Sequence, residues 1–447
     1  MTFLTFCAEY SESSVGCIKW EEEILVEFIR YFNLSMFVLF LVLYFYQGIY
    51  AAVVLFSKKE CLVQKENVCL HRFAILIAAR NESSVIRELI KSIKKQKYPA
   101  ALIDVYVVAD NCTDNTAEVA TEAGAIVYER SSQTLVGKGY ALDYLFKAIF
   151  QRPASRNYEG YFVFDADNLL DENYVAEMNK MFDKGYRILT SYRNSKNYDS
   201  NWLSAGYSLW FLRESKYLNN ARMLMGNSCA ISGTGFLVHS DIIRENDGWK
   251  HHLLTEDIEF SVDSVLHGEK IGYCGTAKLY DEQPVKWQQS WKQRLRWSKG
   301  FYQVFGNYAG SLLKGIFKGY SFSHYDMFMT ISPAVFVSLG GVLVNTFFLL
   351  CGLLNAETAL IVIPMTAHAI FTGALNGYTV LYAFGLLTTI TEWKEIHTSP
   401  MKKILYTLTF PIFILTNVPI SIVALFKKIE WAPISHTISK SIEEVNF

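Results

Sequence analysis

The chain has 447 residues, 51% of them hydrophobic, and a formal net charge of −1. A near-neutral chain has no global field that recruits nucleic acid. Its charges are thinned from a few long apolar segments, as in a membrane protein. The eight cysteines are scattered, with no CxxC pair and no ligand spacing to histidine, so neither a zinc site nor a disulfide framework is indicated.

The N-terminus does not read as a signal peptide, because Glu9, Glu12, Glu21, Glu22 and Glu23 stand where a basic region would be. This reading treats residues 1–33 as an extracytoplasmic segment. Leu34 to Phe56 is charge-free and long enough to span a bilayer. Lys58, Lys59 and Lys65 follow it, so the positive-inside rule places the next domain in the cytoplasm.

From Arg72 the pattern changes to strands alternating with helices. Phe73–Ala79 is a continuous apolar run that ends in Arg80-Asn81-Glu82, and Ile103–Ala109 is another that ends at Asp110. Such runs read as buried parallel strands of an open α/β sheet. Ligands in such sheets sit beyond the carboxyl ends of the strands. Ser83 or Ser84 is expected to cap the helix that follows the first strand. Gly137-Lys138-Gly139 opens a helix without full P-loop spacing; a lysine there suits phosphate, and a plain loop pair is the alternative.

Gly160–Phe164 is the next strand and ends in Asp165-Ala166-Asp167. Carboxylates at i and i+2 on an extended end share a side. They repel unless a cation lies between them, and Mg²⁺ or Mn²⁺ suits two carboxylates plus phosphate. Ile188–Tyr192 reads as a further strand and Ser200–Met225 as helical. Ser232-Gly233-Thr234-Gly235 is a glycine-rich turn that lets a ligand approach backbone. Thr255-Glu256-Asp257 starts an amphipathic helix, with Thr255 as N-cap; Asp257 is a candidate general base.

Lys286 to Gly300 carries three tryptophans and five cations. In a helix, Gln293, Arg296, Trp297 and Gly300 share one face, which suits phosphate and sugar; a lipid-facing interfacial helix is the other reading. Residues 301–325 read as amphipathic and interfacial. Apolar spans are expected at Met327–Leu354, Ala359–Ile390 and Ile404–Phe426, with Asn355-Ala356-Glu357 outside. Pro411, Asn417 and Pro419 favour a broken or re-entrant last element, with residues 427–447 as a cytoplasmic tail.

In order, Asp110, Asp165-Ala166-Asp167, Thr255-Glu256-Asp257 and Gln293-Arg294-Leu295-Arg296-Trp297 resemble the D, DxD, TED, QxxRW set of membrane-bound family 2 glycosyltransferases. That family includes cellulose, chitin, hyaluronan and poly-N-acetylglucosamine synthases. The resemblance covers about residues 72–300, and the tail Trp431-Ala432-Pro433-Ile434-Ser435-His436 is similar to bacterial members. It implies a GT-A-type, Rossmann-like α/β domain over residues 68–300 with α-helical transmembrane segments, in a multi-pass cell-membrane protein with the catalytic domain cytoplasmic. It further implies that a UDP-sugar donor is held by Ala79, Glu82, Asp110, Lys138, Asp165, Gln293, Arg294 and Arg296. Asp165 and Asp167 would bind Mg²⁺ or Mn²⁺. Asp257 would be the catalytic base, and Gly233, Thr234, Glu256 and Trp297 would meet a glycan or lipid-linked acceptor. Ser232-Gly233-Thr234 departs from the Phe-Cys-Gly pattern of the cellulose enzymes.

Three functions follow as expectations: a processive β-glycan synthase, a single-addition transferase acting on a membrane lipid, and, remotely, a nucleotide-sensing transporter. The last predicts charged or polar residues in mid-span, where the spans offer only Asn345, His368, Asn376 and Asn417.

Overall fold

The computed structural model describes residues 14–57, 68–153, 157–332, 340–341, 343–350, 356–434, 436 and 438–445. Glu9, Glu12, Lys58, Lys59, Lys65, Asn355 and Ser435 lie outside the described residues, as does part of the span expected from Met327. The chain divides into two compact units.

The larger unit, Gln47–Pro333 with Leu381–Phe447, is built on an eight-stranded mixed sheet of order β3-β2-β1-β4-β7-β6-β8-β5. Its strands are β1 Phe73–Ala79, β2 Ile103–Asp110, β3 Ile126–Arg130, β4 Gly160–Asp165, β5 Leu169–Leu170, β6 Ile188–Ser195, β7 Phe236–His239 and β8 Ile271–Asp281. The apolar runs are continuous because both faces are covered. Phe73, Ile75 and Ile77 of β1 enter one core with Leu89, Ile90 and Val107. Ala74 and Leu76 enter the other with Leu142, Phe146 and Val163.

β1, β2, β3 and β4 run parallel. Register pairs Ala79 with Ala109 and Ala78 with Asp165, so Asp110, Asp165 and the Arg80–Glu82 loop leave the sheet at one level. Antiparallel β7 joins β4 to β6. A register shift between Ser191 and Tyr192 offsets β6 against β8.

The helices of this part are α2 Ile86–Lys94, α3 Thr116–Glu122, α4 Lys138–Phe150, α5 Tyr174–Asp183, α6 Trp202–Arg213, α7 Asn220–Leu224, α8 Ser240–Glu245 and α9 Glu256–Leu266; they follow α1, Ser14–Phe56. A π-turn, Glu214–Asn219, joins α6 to α7. Two expected side-chain caps do not form: α2 begins after Val85 without one, and the Thr255 hydroxyl is buried without a partner.

The expected interfacial helix at 301–325 is not separate. Trp287–Phe317 is one helix, α10, and α11 is Phe322–Ile331. The span expected from Met327 is also corrected at its start. Met327 and Ile331 are fully buried with Val262, Val304 and Leu312. On the same helix, Asp326 accepts from Arg222 at 2.7 and 2.9 Å and from the Tyr50 hydroxyl at 2.6 Å. An apolar run alone does not tell lipid from protein core.

Among the described residues, three helical stretches are long and apolar enough to cross a membrane: Ile24–Phe56, Val362–Thr391 and Pro400–Phe426. The second belongs to α12, Ala356–Thr391; the third consists of α13, Pro400–Leu415, and α14, Asn417–Phe426. In α13 and α14 one face is buried, at Phe410, Phe413, Ile420 and Ala424, while Ile404, Leu405, Leu408 and Ile412 are exposed.

The smaller unit is Met1–Tyr46 with Ala334–Val380. Within it Asn33 and Asn345 exchange amide hydrogen bonds of 2.7 and 3.0 Å. Such pairing satisfies polar side chains between apolar helices, so Asn345 marks a helix contact.

Removing one partner of a buried ion pair costs about 3–5 kcal/mol, because it strands the other charge. Asp326→Ala should lower the stability of the larger unit by that amount in detergent unfolding assays. A loss under about 1 kcal/mol would return α11 to the lipid-facing reading.

Candidate active site

Carboxylates converge beyond the strand ends, each held by a different device. After β1, Asn81 adopts φ +57°; after β2, Asn111 adopts φ +52°. Left-handed backbone is uncommon outside glycine and concentrates at functional loops. Both asparagines use their side chains to fix the rim: Asn81 Oδ1 accepts from Thr113 N at 2.7 Å, and Asn111 Oδ1 from Ser132 N at 2.8 Å. Cys112 Sγ reaches Ala79 O at 3.5 Å. Asp110 is buried and ion-paired with Arg130 at the end of β3.

β4 delivers Asp165 and Asp167, but the two are not on one extended end, because residues 166–167 form a turn. Asp165 is partly open and takes the ammonium of Lys138. Asp167 is buried; it accepts from Glu282 N at 2.8 Å and from the Asn168 amide at 3.2 Å. Burial pushes Asp167 up, but His436, Lys196 and the Glu282 N–H together hold it below the usual carboxylate range. Among the described residues no group of three His, Cys, Asp or Glu side chains could hold a metal. A hard divalent cation does not need a closed protein cage. One or two carboxylates suffice when phosphate oxygens complete its shell, and Asp165 with Asp167 fit that open type.

Lys138 begins α4 after Gly137, whose φ is +139°. The helix fits closely here, since a Cβ on Gly139 would meet His251 O at 2.1 Å. The Lys138 ammonium bonds Asp165 and, at 2.7 Å, Gly233 O; Glu256 Oε1 lies 4.0 Å away. In this state it bridges the acidic groups and does not stand free for a diphosphate.

Glu256 and Asp257 open α9, where the helix dipole favours negative charge. Asp257 Oδ2 accepts from Gly233 N at 2.6 Å. Burial raises Asp257, against Lys138 and the N–H donors. Glu256 is pushed up to about 7 by burial and by Asp257, with Lys138 and Arg296 opposing. Thr234 is buried, with its hydroxyl on Asn168 and Asp165 N.

α10 closes the site and uses two faces. Arg296 Nη1 donates to Leu254 O at 2.9 Å and Gln303 Oε1 accepts from Leu254 N at 3.2 Å, so both grip the loop that carries Thr255–Asp257. A Cβ on Gly300 would meet Thr255 Cγ2 at 2.5 Å. Gln293 Oε1 is buried without a partner. Trp297 packs edge-on against Tyr207 and Phe211.

Arg294 lies on another face of α10. It is 2% exposed, and its Nη1 donates to Phe413 O at 3.1 Å and to Thr416 Oγ1 at 2.7 Å, at the junction of α13 and α14. Residues two apart on a helix do not face each other, so Arg294 points away from Arg296, with its Nε and Nη2 buried without a partner.

Several residues escaped the sequence reading. Arg130 covers Asp110, and Arg193 near the end of β6 pairs with Asp281. The strand-end rule that found Asp110 could have found Arg193. His436 of the tail bonds both oxygens of Glu82 at 2.9 and 3.0 Å, and Trp431 stacks on Arg80. Burial pulls His436 down, but Asp167, Glu82 and Glu282 outweigh it and push it up to about 10. Burial pushes Glu82 up to about 7 against the pull of His436.

Among solved structures, a mannosyltransferase from Pyrobaculum calidifontis in complex with GDP-Man and Mn²⁺ shares the fold, at TM-score 0.52 and 14% identity, over 89% of this chain and 99% of that one. A Bacillus subtilis protein named probable glycosyltransferase YdaM is 26% identical over 254 residues, 52% of this chain and 55% of the relative. A beta-monoglucosyldiacylglycerol synthase of Nostoc sp. is 27% identical over 279 residues, 60% and 57%. A poly-beta-1,6-N-acetyl-D-glucosamine synthase of Staphylococcus epidermidis is 24% identical over 245 residues, 54% and 58%. The chain therefore spans little more than half the length of these relatives. The family model described as "Glycosyltransferase like family 2" matches residues 71–300, just over half the chain, and with this GT-A-type sheet the chain belongs to that family of glycosyltransferases.

Proposed function

We propose that the chain transfers a hexose or N-acetylhexosamine from a UDP-sugar to a glycan acceptor at the cytoplasmic face of the cell membrane, with inversion to a β-linkage, and extends that glycan processively. The observation that carries this reading is the gathering of Asp165, Lys138, Gly233, Glu256 and Asp257 in one pocket beyond the strand ends. A carboxylate there, its pKa raised by burial, is suited to take a proton from a hydroxyl. In the proposed step Asp257 accepts the acceptor's hydroxyl proton, that oxygen bonds to the anomeric carbon, and the bond from that carbon to the diphosphate oxygen breaks, releasing UDP. Asp110 and the Ala79–Glu82 loop line the place for the nucleoside. Asp165 and Asp167 would hold Mg²⁺ or Mn²⁺, which supplies positive charge to the diphosphate when bound. Gln293 and Arg296 would meet the diphosphate of the donor, and Gly233, Thr234, Glu256 and Trp297 the acceptor.

A second reading is a single addition to a membrane lipid. Similarity to the beta-monoglucosyldiacylglycerol synthase supports it, as similarity to the poly-beta-1,6-N-acetyl-D-glucosamine synthase supports the first. In either case we propose a multi-pass protein in which α13 and α14 form a re-entrant or interfacial element. The burial of one face of that pair and the anchoring of its junction by Arg294 support this.

Membranes incubated with labelled UDP-glucose and UDP-N-acetylglucosamine should yield a size ladder of glycan; lipid-extractable monosaccharide adducts alone would select the second reading. Chelation with EDTA should abolish transfer and Mn²⁺ should restore it. Asp257→Asn should lower kcat by at least about 100-fold, the scale of general-base catalysis, while UDP still binds; retained transfer would remove Asp257 as the base.

Gly300→Ala should push the Thr255–Asp257 loop off α10 and cut kcat roughly 10- to 100-fold, since misplacement by 1 Å has effects of that size. Gly306→Ala, with nothing within 4 Å of its added Cβ, should leave kcat unchanged. Equal effects from the two substitutions would refute the packing argument.

A further inference from the structure

The glycine-rich turn between α7 and β7 is held at three consecutive backbone groups. Gly233 has φ +77°, a conformation that favours glycine. Its N–H donates to Asp257 Oδ2 at 2.6 Å and its carbonyl accepts from Lys138 Nζ at 2.7 Å. The preceding carbonyl, Ser232 O, accepts from Arg193 Nη1 at 2.8 Å. Lys138 and Asp257 are absorbed by the proposed reaction; Arg193 is not.

Arg193 is itself immobilised from every side. Its Nε donates to Asp281 Oδ2 at 2.8 Å, and Nη2 bonds the same oxygen. Its backbone N–H donates to Ser215 Oγ, in the π-turn, at 3.2 Å. Its guanidinium carbon lies 3.5 Å from the centre of the Phe211 ring. Side-chain exposure is 14% for Arg193 and 4% for Asp281. The register shift at Ser191/Tyr192 creates this geometry: beyond it Arg193 faces Leu279 and Ser195 faces Asp281, so Arg193 and Asp281 are diagonal neighbours on one face of the sheet. π-turns are frequent at functional sites, and this one supplies Ser215 to the clamp.

A planar guanidinium can hold a carboxylate with one edge and aim a further N–H at a carbonyl. Arg193 does both, so the sheet's ion pair also fixes the orientation of the Ser232–Gly233 peptide. That peptide carries the N–H that aims the Asp257 carboxylate. We infer that Arg193 is a positioning residue for glycosyl transfer: it acts through the Ser232 carbonyl and the Gly233 N–H on Asp257, without touching donor or acceptor. The inference rests on the proposed role of Asp257 as base.

The test uses the full-length protein in detergent or nanodiscs, with UDP-glucose and UDP-N-acetylglucosamine as donors and UDP as the binding probe. Arg193→Lys keeps the charge and loses the fork. It should lower kcat roughly 10- to 100-fold, the scale of a misplaced catalytic group, with UDP affinity and acceptor KM within about twofold of the parent. The double variant Arg193→Met/Asp281→Leu removes both buried charges together, which proteins tolerate better than removing one. It should show the same split between kcat and KM. In a cycle with Asp257→Glu the two losses should not multiply, because both act on one carboxylate. Parental kcat in Arg193→Lys, a changed UDP affinity or acceptor KM at unchanged kcat, or fully multiplicative losses would each overturn the inference. A fully active Asp257→Asn protein would instead sink the base assignment, so the two failures are distinguishable.

Discussion

The ammonium of Lys138 is the contact on which the site depends. It lies between Asp165 of β4, the carbonyl of Gly233 and Glu256 at the start of α9, and so ties three separate stretches of chain together. Two like charges 4 Å apart repel by about 4 kcal/mol at an effective dielectric of 20. Carboxylates brought together from different elements therefore need a cation among them before any substrate arrives. Lys138 supplies it, and its own place is set by the close approach of Gly139 to His251 O. In the proposed reaction a divalent ion and diphosphate would enter the same field.

The second constraint is the division of labour on α10. Arg296 and Gly300 press on the loop that carries Asp257, while Arg294 faces the other way and satisfies a carbonyl near the end of α13. One helix thus connects the acidic pocket to an apolar element whose other face is exposed.

Much of this was legible in the sequence because it is local. Apolar runs ending in acidic residues marked β1, β2 and β4, and register put their ends at one level. What was not legible is long-range. The Asp110–Arg130 and Arg193–Asp281 pairs depend on strand neighbours and on a register shift that periodicity does not encode. His436 reaches Glu82 across 354 positions of sequence. The helix from Phe322 read as the approach to a membrane span because a buried face and a lipid face are both apolar; Asp326, paired with Arg222, was the signal against it. The contact of Arg294 with the α13–α14 junction was not legible because a motif gives residue types in order, whereas a helix sends positions two apart in different directions.

In the proposed single displacement one carboxylate, Asp257, accepts the proton, and the Gly233 N–H holds it at 2.6 Å. A single displacement inverts the anomeric carbon, whereas a double displacement through an enzyme-bound sugar retains it. The most direct measurement is the anomeric configuration of the first product formed from an α-linked UDP-sugar, read from the anomeric proton by NMR. A β-linkage is expected; an α-linked product would contradict single displacement with Asp257 as base.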